Sequence, residues 1–175
     1  MYKVYLSPST QDKSFGVGNF GTEEFRMNQI ADVVEKRLLD IGEYLVFRDK
    51  GGMNKDEIIK DSNKQNIDIH VAIHSNFGDK KGIETYIKVG DEKSNGFGKE
   101  VYKELIKIYY DKNIDNGLMY DESIKEIMNV KSPAILVEVG GHDNKEDSIW
   151  IITNIENIGI AIANGIVKGF ALKPC

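Results

Sequence analysis

The run Asp68-Ile-His-Val-Ala-Ile-His-Ser-Asn76 carries an imidazole, His74, to the point where an apolar β-strand gives way to a polar turn. Open α/β sheets place their chemistry at such strand ends. His70 lies four residues earlier, and residues an even number apart share one face of a strand, so both imidazoles can line the same side. The third histidine, His142, ends a second apolar run, Ala134-Ile-Leu-Val-Glu-Val-Gly-Gly-His142, which holds a carboxylate, Glu138, among aliphatic neighbours. A carboxylate in that setting is costly to bury unless it is paired or does chemistry. If the strands are parallel, their outgoing loops gather at one sheet edge, together with the start of the first long helix and its Glu24. One imidazole and one carboxylate as ligands, with an uncoordinated carboxylate beside them, is the inventory of a hydrolytic zinc site. In such a site the metal acidifies water to a pKa of about 7 and the free carboxylate relays the proton.

Each of these residues has a plainer reading beside it. Taken alone, His74 is a hydrogen-bonded side chain at a strand end, and His70, further from the sheet edge, is structural. Glu24 answers the helix dipole, as Glu23 next to it could. His142 is either a ligand or a residue facing substrate. Gly140 and Gly141 let the chain turn sharply, and Arg48 is a surface charge or, less simply, a contact for a substrate carboxylate.

The elements that would position these side chains alternate along the chain. Residues 3–7 read as a strand, and Ile30, Val33, Val34, Leu38 and Ile41 then recur at helical spacing, with Thr22 as N-cap and Gly42 as the stop. Residues 43–47 read as a second strand, 55–64 as a short helix, 67–74 as a third strand and 82–89 as a fourth. A helix is expected over 98–110, a short strand over 126–130 in the poorly patterned segment 111–132, and a strand over 134–139 behind Pro133. Residues 145–171 read as helical with a break near Thr153-Asn154. This alternation implies an α/β fold: a mostly parallel, twisted mixed sheet of about six strands with helices on both faces.

Composition narrows the classes. A chain of 175 residues suits one domain with a full core. No apolar run approaches the roughly 20 residues of a membrane helix, so no membrane span is expected. The net charge of −5, with basic residues scattered among acidic ones, argues against nucleic acid as a partner. The lone Cys175 leaves no internal disulfide to form. The opening residues read as a strand rather than a signal peptide, so synthesis is expected in the cytoplasm.

Glu24-Phe-Arg-Met-Asn28 with Ile30-Ala31, Ile73-His-Ser-Asn76, Gly82-Ile-Glu-Thr-Tyr86, and Ala134-Ile-Leu-Val-Glu-Val-Gly140 with Asn144 together resemble the zinc-dependent N-acetylmuramoyl-L-alanine amidases of the Amidase_3 type. The resemblance spans nearly the whole chain and implies hydrolysis of the amide between N-acetylmuramic acid and L-alanine in peptidoglycan. Carried over, Glu24 and His74 bind one Zn2+, Glu138 is the catalytic carboxylate, and Asn76 and His142 face substrate. The Ser-Pro-Ser-Thr-Gln and Gly-Asn-Phe-Gly-Thr-Glu-Glu wording is most similar to clostridial and clostridial-phage endolysins. It implies action on the cell wall after release from the cytoplasm, and a separate C-terminal wall-binding domain. Residues 1–172 are then the catalytic domain and 173–175 the start of a linker.

One departure stands out. Where the family's first strand ends in Asp-Pro-Gly-His, with the histidine a zinc ligand, this chain has Ser7-Pro8-Ser9-Thr10. The third position is then open to Gln11, Asp12, His142 or water. Oxygen donors select zinc less strongly than imidazole. Two other readings follow: a metal-poor wall-binding domain that keeps the amidase fold, and a metallopeptidase on the same scaffold that cuts the stem peptide. Metal analysis separates the first from an amidase, and the chemical ends of the digestion products separate the second.

Overall fold

The computed structural model describes residues 1–49 and 51–172. The expected linker at 173–175, with Cys175, lies outside the described residues. Twelve elements follow in order: β1 (Tyr2–Pro8), α1 (Glu23–Ile41), β2 (Tyr44–Arg48), α2 (Lys55–Lys64), β3 (Ile69–Asn76), β4 (Glu84–Ile87), α3 (Glu92–Ile108), β5 (Leu118–Met119), α4 (Lys125–Asn129), β6 (Ala134–Gly141), α5 (Lys145–Thr153) and α6 (Ile155–Ala171). The strands form one six-stranded sheet in the order β2-β1-β3-β6-β4-β5. All neighbours are parallel except β4 and β6, which run antiparallel. This is the mixed, mostly parallel sheet expected from the alternation of strand and helix patterns.

Local chemistry accounts for the element ends. The Thr22 hydroxyl accepts the Phe25 N–H and starts α1, and Gly42, at φ 81°, ends it in the left-handed region that side chains avoid. Asn54 and Glu57 close a reciprocal capping box on α2. Asn144 caps α5, and the apolar run beyond it breaks at Asn154, where α6 turns away by 79°. Among the described residues no single helix is long and apolar enough to cross a membrane.

Two expectations need correction. Residues 126–130 are not a strand: α4 occupies Lys125–Asn129, burying Glu126 and Ile127 on one face. Its five residues are too few for a helical period to be distinguished from strand alternation. Arg48 is not a surface charge. Its side chain is 4% exposed and bonds Asp32, Glu35 and the Asn28 amide oxygen, tying β2 to α1.

Strand alternation sorts the sheet into two unequal faces. Val4, Leu6, Ile69, Val71, Ile73, Ile135, Val137 and Val139 pack into the main core under α1, α3, α5 and α6. The opposite face is covered by α2 and α4 through a smaller cluster of Ile59, Ala72, Ile127, Val130, Ala134 and Leu136. That cover stops at the level of Ala72 and Leu136. The next residues on the same face, His74 and Glu138, sit side by side in register at the open carboxyl edge.

Candidate active site

His74 and Glu138 are partners across β3 and β6, and Glu84 of β4 is the partner of Glu138 on its other side. Adjacent strands lie about 4.8 Å apart, so an imidazole and two carboxylates share one row. The N-terminus of α1 closes the edge and brings in Glu23. Its Oε1 lies 3.0 Å from His74 Nδ1 and accepts the Ser75 N–H at 3.2 Å. Glu23, Glu138, His74, Ser75 and Asn76 line a pocket of about 820 Å³, together with the loop Gln11–Phe15 and with Phe77.

Glu23 is thus the α1 carboxylate that meets His74, not Glu24. The helix buries Glu23, Met27, Ile30, Ala31, Val34 and Leu38 on one stripe, whereas Glu24 is only partly buried and does not line the pocket. The phase of that stripe was available in the sequence: Glu23 precedes Met27 by four and Ile30 by seven, the spacing of one helical face.

His142 also leaves the site. It is fully buried, with Nε2 3.0 Å from the Ser14 hydroxyl and Nδ1 2.9 Å from the Ser75 hydroxyl, and its ring lies against Phe20 and Phe77. With both nitrogens occupied, it is neither a free ligand nor a substrate contact, and it clips the 11–20 loop to the end of β3. Asn76 borders the pocket, with its amide donating to Glu84 Oε2 at 3.0 Å and its own oxygen accepting the Phe77 N–H. Gln11 and Asp12 line the pocket, whereas Thr10 does not.

Two carboxylates elsewhere, Asp147 fully buried and Asp143 partly so, hold the rim in place. Asp147 accepts the N–H groups of Gly82 and Gly141, both at 2.9 Å, and the hydroxyls of Tyr109 and Tyr110. Gly140, at φ 113°, leaves room for that carboxylate, since a Cβ there would meet Asp147 Oδ2 at 3.0 Å. Asp143 accepts the N–H groups of Gly78 and Asp79 and anchors the turn after β3.

The electrostatics separate the three acidic and basic groups. Burial alone would raise the Glu23 pKa, but the hydrogen bond and charge of His74, with the Ser75 N–H and Ser9 hydroxyl, bring it below the usual carboxylate value. Burial alone would lower His74, and the bond to Glu23 and the charges of Glu138 and Glu23 outweigh it and raise the imidazole. Glu138 goes the other way. Burial lifts its carboxyl to about 7, against the pull of His74 and with a push from Glu23 and Glu84. Its Oε2 is buried with no hydrogen-bond partner. Such a group costs stability, so its retention at the floor of a pocket points to chemistry.

The metal expected at this site can be tested against the donors present. Two atoms bonded tetrahedrally to zinc stand roughly 3.4 Å apart, and Glu23 Oε1 and His74 Nδ1, at 3.0 Å, are near that spacing. Among the described residues no group of three His, Cys, Asp or Glu side chains is placed to hold a metal ion. The donors present therefore fit two of the three protein positions of a catalytic zinc site, and the Gln11 and Asp12 oxygens border the remaining space.

An open α/β sheet that sets an imidazole beside a buried, unpartnered carboxyl oxygen at its carboxyl edge is an arrangement suited to hydrolysis. The family model Amidase_3, N-acetylmuramoyl-L-alanine amidase, matches residues 4–168, and the chain belongs to this family of peptidoglycan hydrolases. Its fold is similar to that of an N-acetylmuramoyl-L-alanine amidase from Clostridium difficile 630, with a TM-score of 0.87 at 18% identity over 99% of this chain and 98% of the other. AmiC2 of Nostoc punctiforme gives 0.86 at 19% over 98% of each chain. The catalytic domain of CwlV from Bacillus (Paenibacillus) polymyxa var. colistinus gives 0.85 at 20% over 99% and 100%. No curated protein matches the chain.

Proposed function

We propose that this amidase is zinc-dependent, that Glu23 and His74 hold the ion with an oxygen of Gln11 or Asp12, and that Glu138 is its general base and acid. Zinc held there would supply the Lewis acidity of a hydrolytic site, polarising the scissile carbonyl and making water easier to deprotonate. Glu138 takes a proton from the attacking water. The same carboxyl then gives that proton to the departing amine of L-alanine as the C–N bond breaks, leaving a lactyl carboxylate and a free amino terminus. Burial raises the Glu138 carboxyl above the usual carboxylate value, which makes it a stronger proton acceptor for the first step. Glu84, bonded by the Asn76 amide and the Tyr86 hydroxyl, lies beside Glu138 and adds to the upward push of burial on its carboxyl.

The observation that carries this reading is the unpartnered, buried Glu138 Oε2 beside His74 at the pocket floor. Glu138→Gln should abolish clearing of a cell-wall suspension and the release of new L-alanine amino termini, by on the order of 100-fold or more. It should keep the fold and the zinc content measured by mass spectrometry. Near-wild-type release of those termini by the variant would remove Glu138 from the role. Less than about half an equivalent of zinc in the reconstituted wild type would favour a metal-poor wall-binding module instead.

A further inference from the structure

Phe15 and Phe77 are, at 67% and 66%, the two most exposed aromatic side chains among the described residues, and both line the same pocket. Scattered single apolar residues on a surface need no explanation, but two large rings at the mouth of one otherwise polar cleft do. Neither sits on a loose segment. Phe15 pairs with Thr22 in a short bridge, and its loop is fastened by the Ser14 bond to His142. The Phe77 N–H is held by Asn76, and its ring lies 5.7 Å from that of His142. The buried imidazole therefore ties both walls together, so that the backbone carrying the two exposed rings is held in place before binding, which confines the ordering cost to the side chains.

Resting on the amidase reading, we propose that Phe15 and Phe77 form a saccharide subsite, stacking their faces against the C–H faces of the pyranose rings beside the scissile amide. The substrate has two arms at that bond, a glycan and a short peptide. Of the two, the glycan presents flat, weakly polar C–H surfaces that match a phenyl face. The anionic peptide arm would be matched instead by cations, and the pocket wall has one in Lys13. Aromatic rings contribute through contact area and polarised faces and need no hydrogen bond, which suits positions in an open groove.

The test uses Glu138→Gln as the binding protein, with and without Phe15→Ala and Phe77→Ala, in titration calorimetry against peptide-free N-acetylglucosamine–N-acetylmuramic acid oligosaccharides and, separately, free stem peptide. The double variant should weaken oligosaccharide binding about tenfold, leave stem-peptide binding within a factor of two, and melt at an unchanged temperature, since both rings are exposed. Equal oligosaccharide affinity in the two proteins, no oligosaccharide binding by the parent, or a loss confined to the peptide would each overturn the proposal. The amidase reading is judged apart from it, by release of L-alanine amino termini from whole sacculi by the unsubstituted enzyme.

Discussion

β3 carries two histidine–glutamate pairs on one face, four residues apart, and the sheet treats them in opposite ways. His70 is fully buried, with Nδ1 3.0 Å from the Ser62 hydroxyl, Nε2 3.1 Å from Glu126 Oε1 and its ring stacked on Tyr5. Every polar atom of that cluster finds a partner, because α2 and α4 cover this half of the face and exclude water. His74 lies beyond the reach of that cover. It has Glu23, a neighbouring carboxylate with an orphaned oxygen, and an open pocket. The same residue types thus form a structural brace where the second layer is present and line an open pocket where it ends. The pKa directions agree: Glu126 is brought down to about 2 by His70 against the opposing effect of burial, whereas burial lifts Glu138 to about 7.

The largest effect expected from this contrast is on stability at the buried pair. Glu126→Ala would leave His70 interred without its carboxylate and cost about 3–5 kcal/mol, read by urea unfolding. A loss under about 1 kcal/mol would mean that the pair is not a brace. The pH dependence has a fixed sign. Glu126 is depressed from its ordinary 4.5 to about 2, so its contribution is complete above pH 4.5 and disappears as the pH falls toward 2. The Ala variant should therefore lose its difference from wild type across that acid range.

A smaller effect of opposite sign is expected at the open pair. With a folded pKa near 7 and an unfolded one near 4.5, Glu138 binds its proton more tightly in the folded chain. Its ionisation therefore erodes stability as the pH rises from about 4.5 to 7 and is fully felt above 7. In chelator-treated protein, Glu138→Gln should raise stability at pH 8 by roughly 1–3 kcal/mol and change little at pH 4.5. A variant less stable than wild type at pH 8 would show that the carboxylate is satisfied after all, and the contrast with Glu126 would fail.

These pairs also show what could be read from residues alone. The strand–helix alternation, the sheet type, the caps at Thr22 and Gly42, and the placing of His74 and Glu138 at one edge all follow from periodicity and turn chemistry, which are local. The role of His142 is not legible in its sequence neighbourhood because its environment is not local: Ser14 and Ser75 lie 128 and 67 residues away, and nothing near residue 142 announces them. The antiparallel β4, which puts Glu84 beside Glu138, is equally invisible to a pattern that reports only alternation. α4 was hidden by its shortness, and with it the partner that makes His70 structural.

Glu23 and Glu24 give the smallest and sharpest test, because the two differ only by one step around a helix. Motif spacing selects Glu24, and the buried stripe selects Glu23; the side chains diverge by about 100° around the helix axis. Glu24→Gln removes a partly exposed first-turn carboxylate and should cost no more than about 0.5 kcal/mol, through a weakened interaction with the helix dipole. It should leave zinc affinity and amide hydrolysis within about twofold, the scatter of a surface substitution. Glu23→Gln is the control: it removes the charge facing His74, and zinc affinity measured by competition with a chelating dye should fall on the order of 100-fold. If the two variants exchanged these outcomes, the helix would have to turn by one residue in the zinc-bound protein. The row of His74, Glu138 and Glu84 would then need a different carboxylate to complete it.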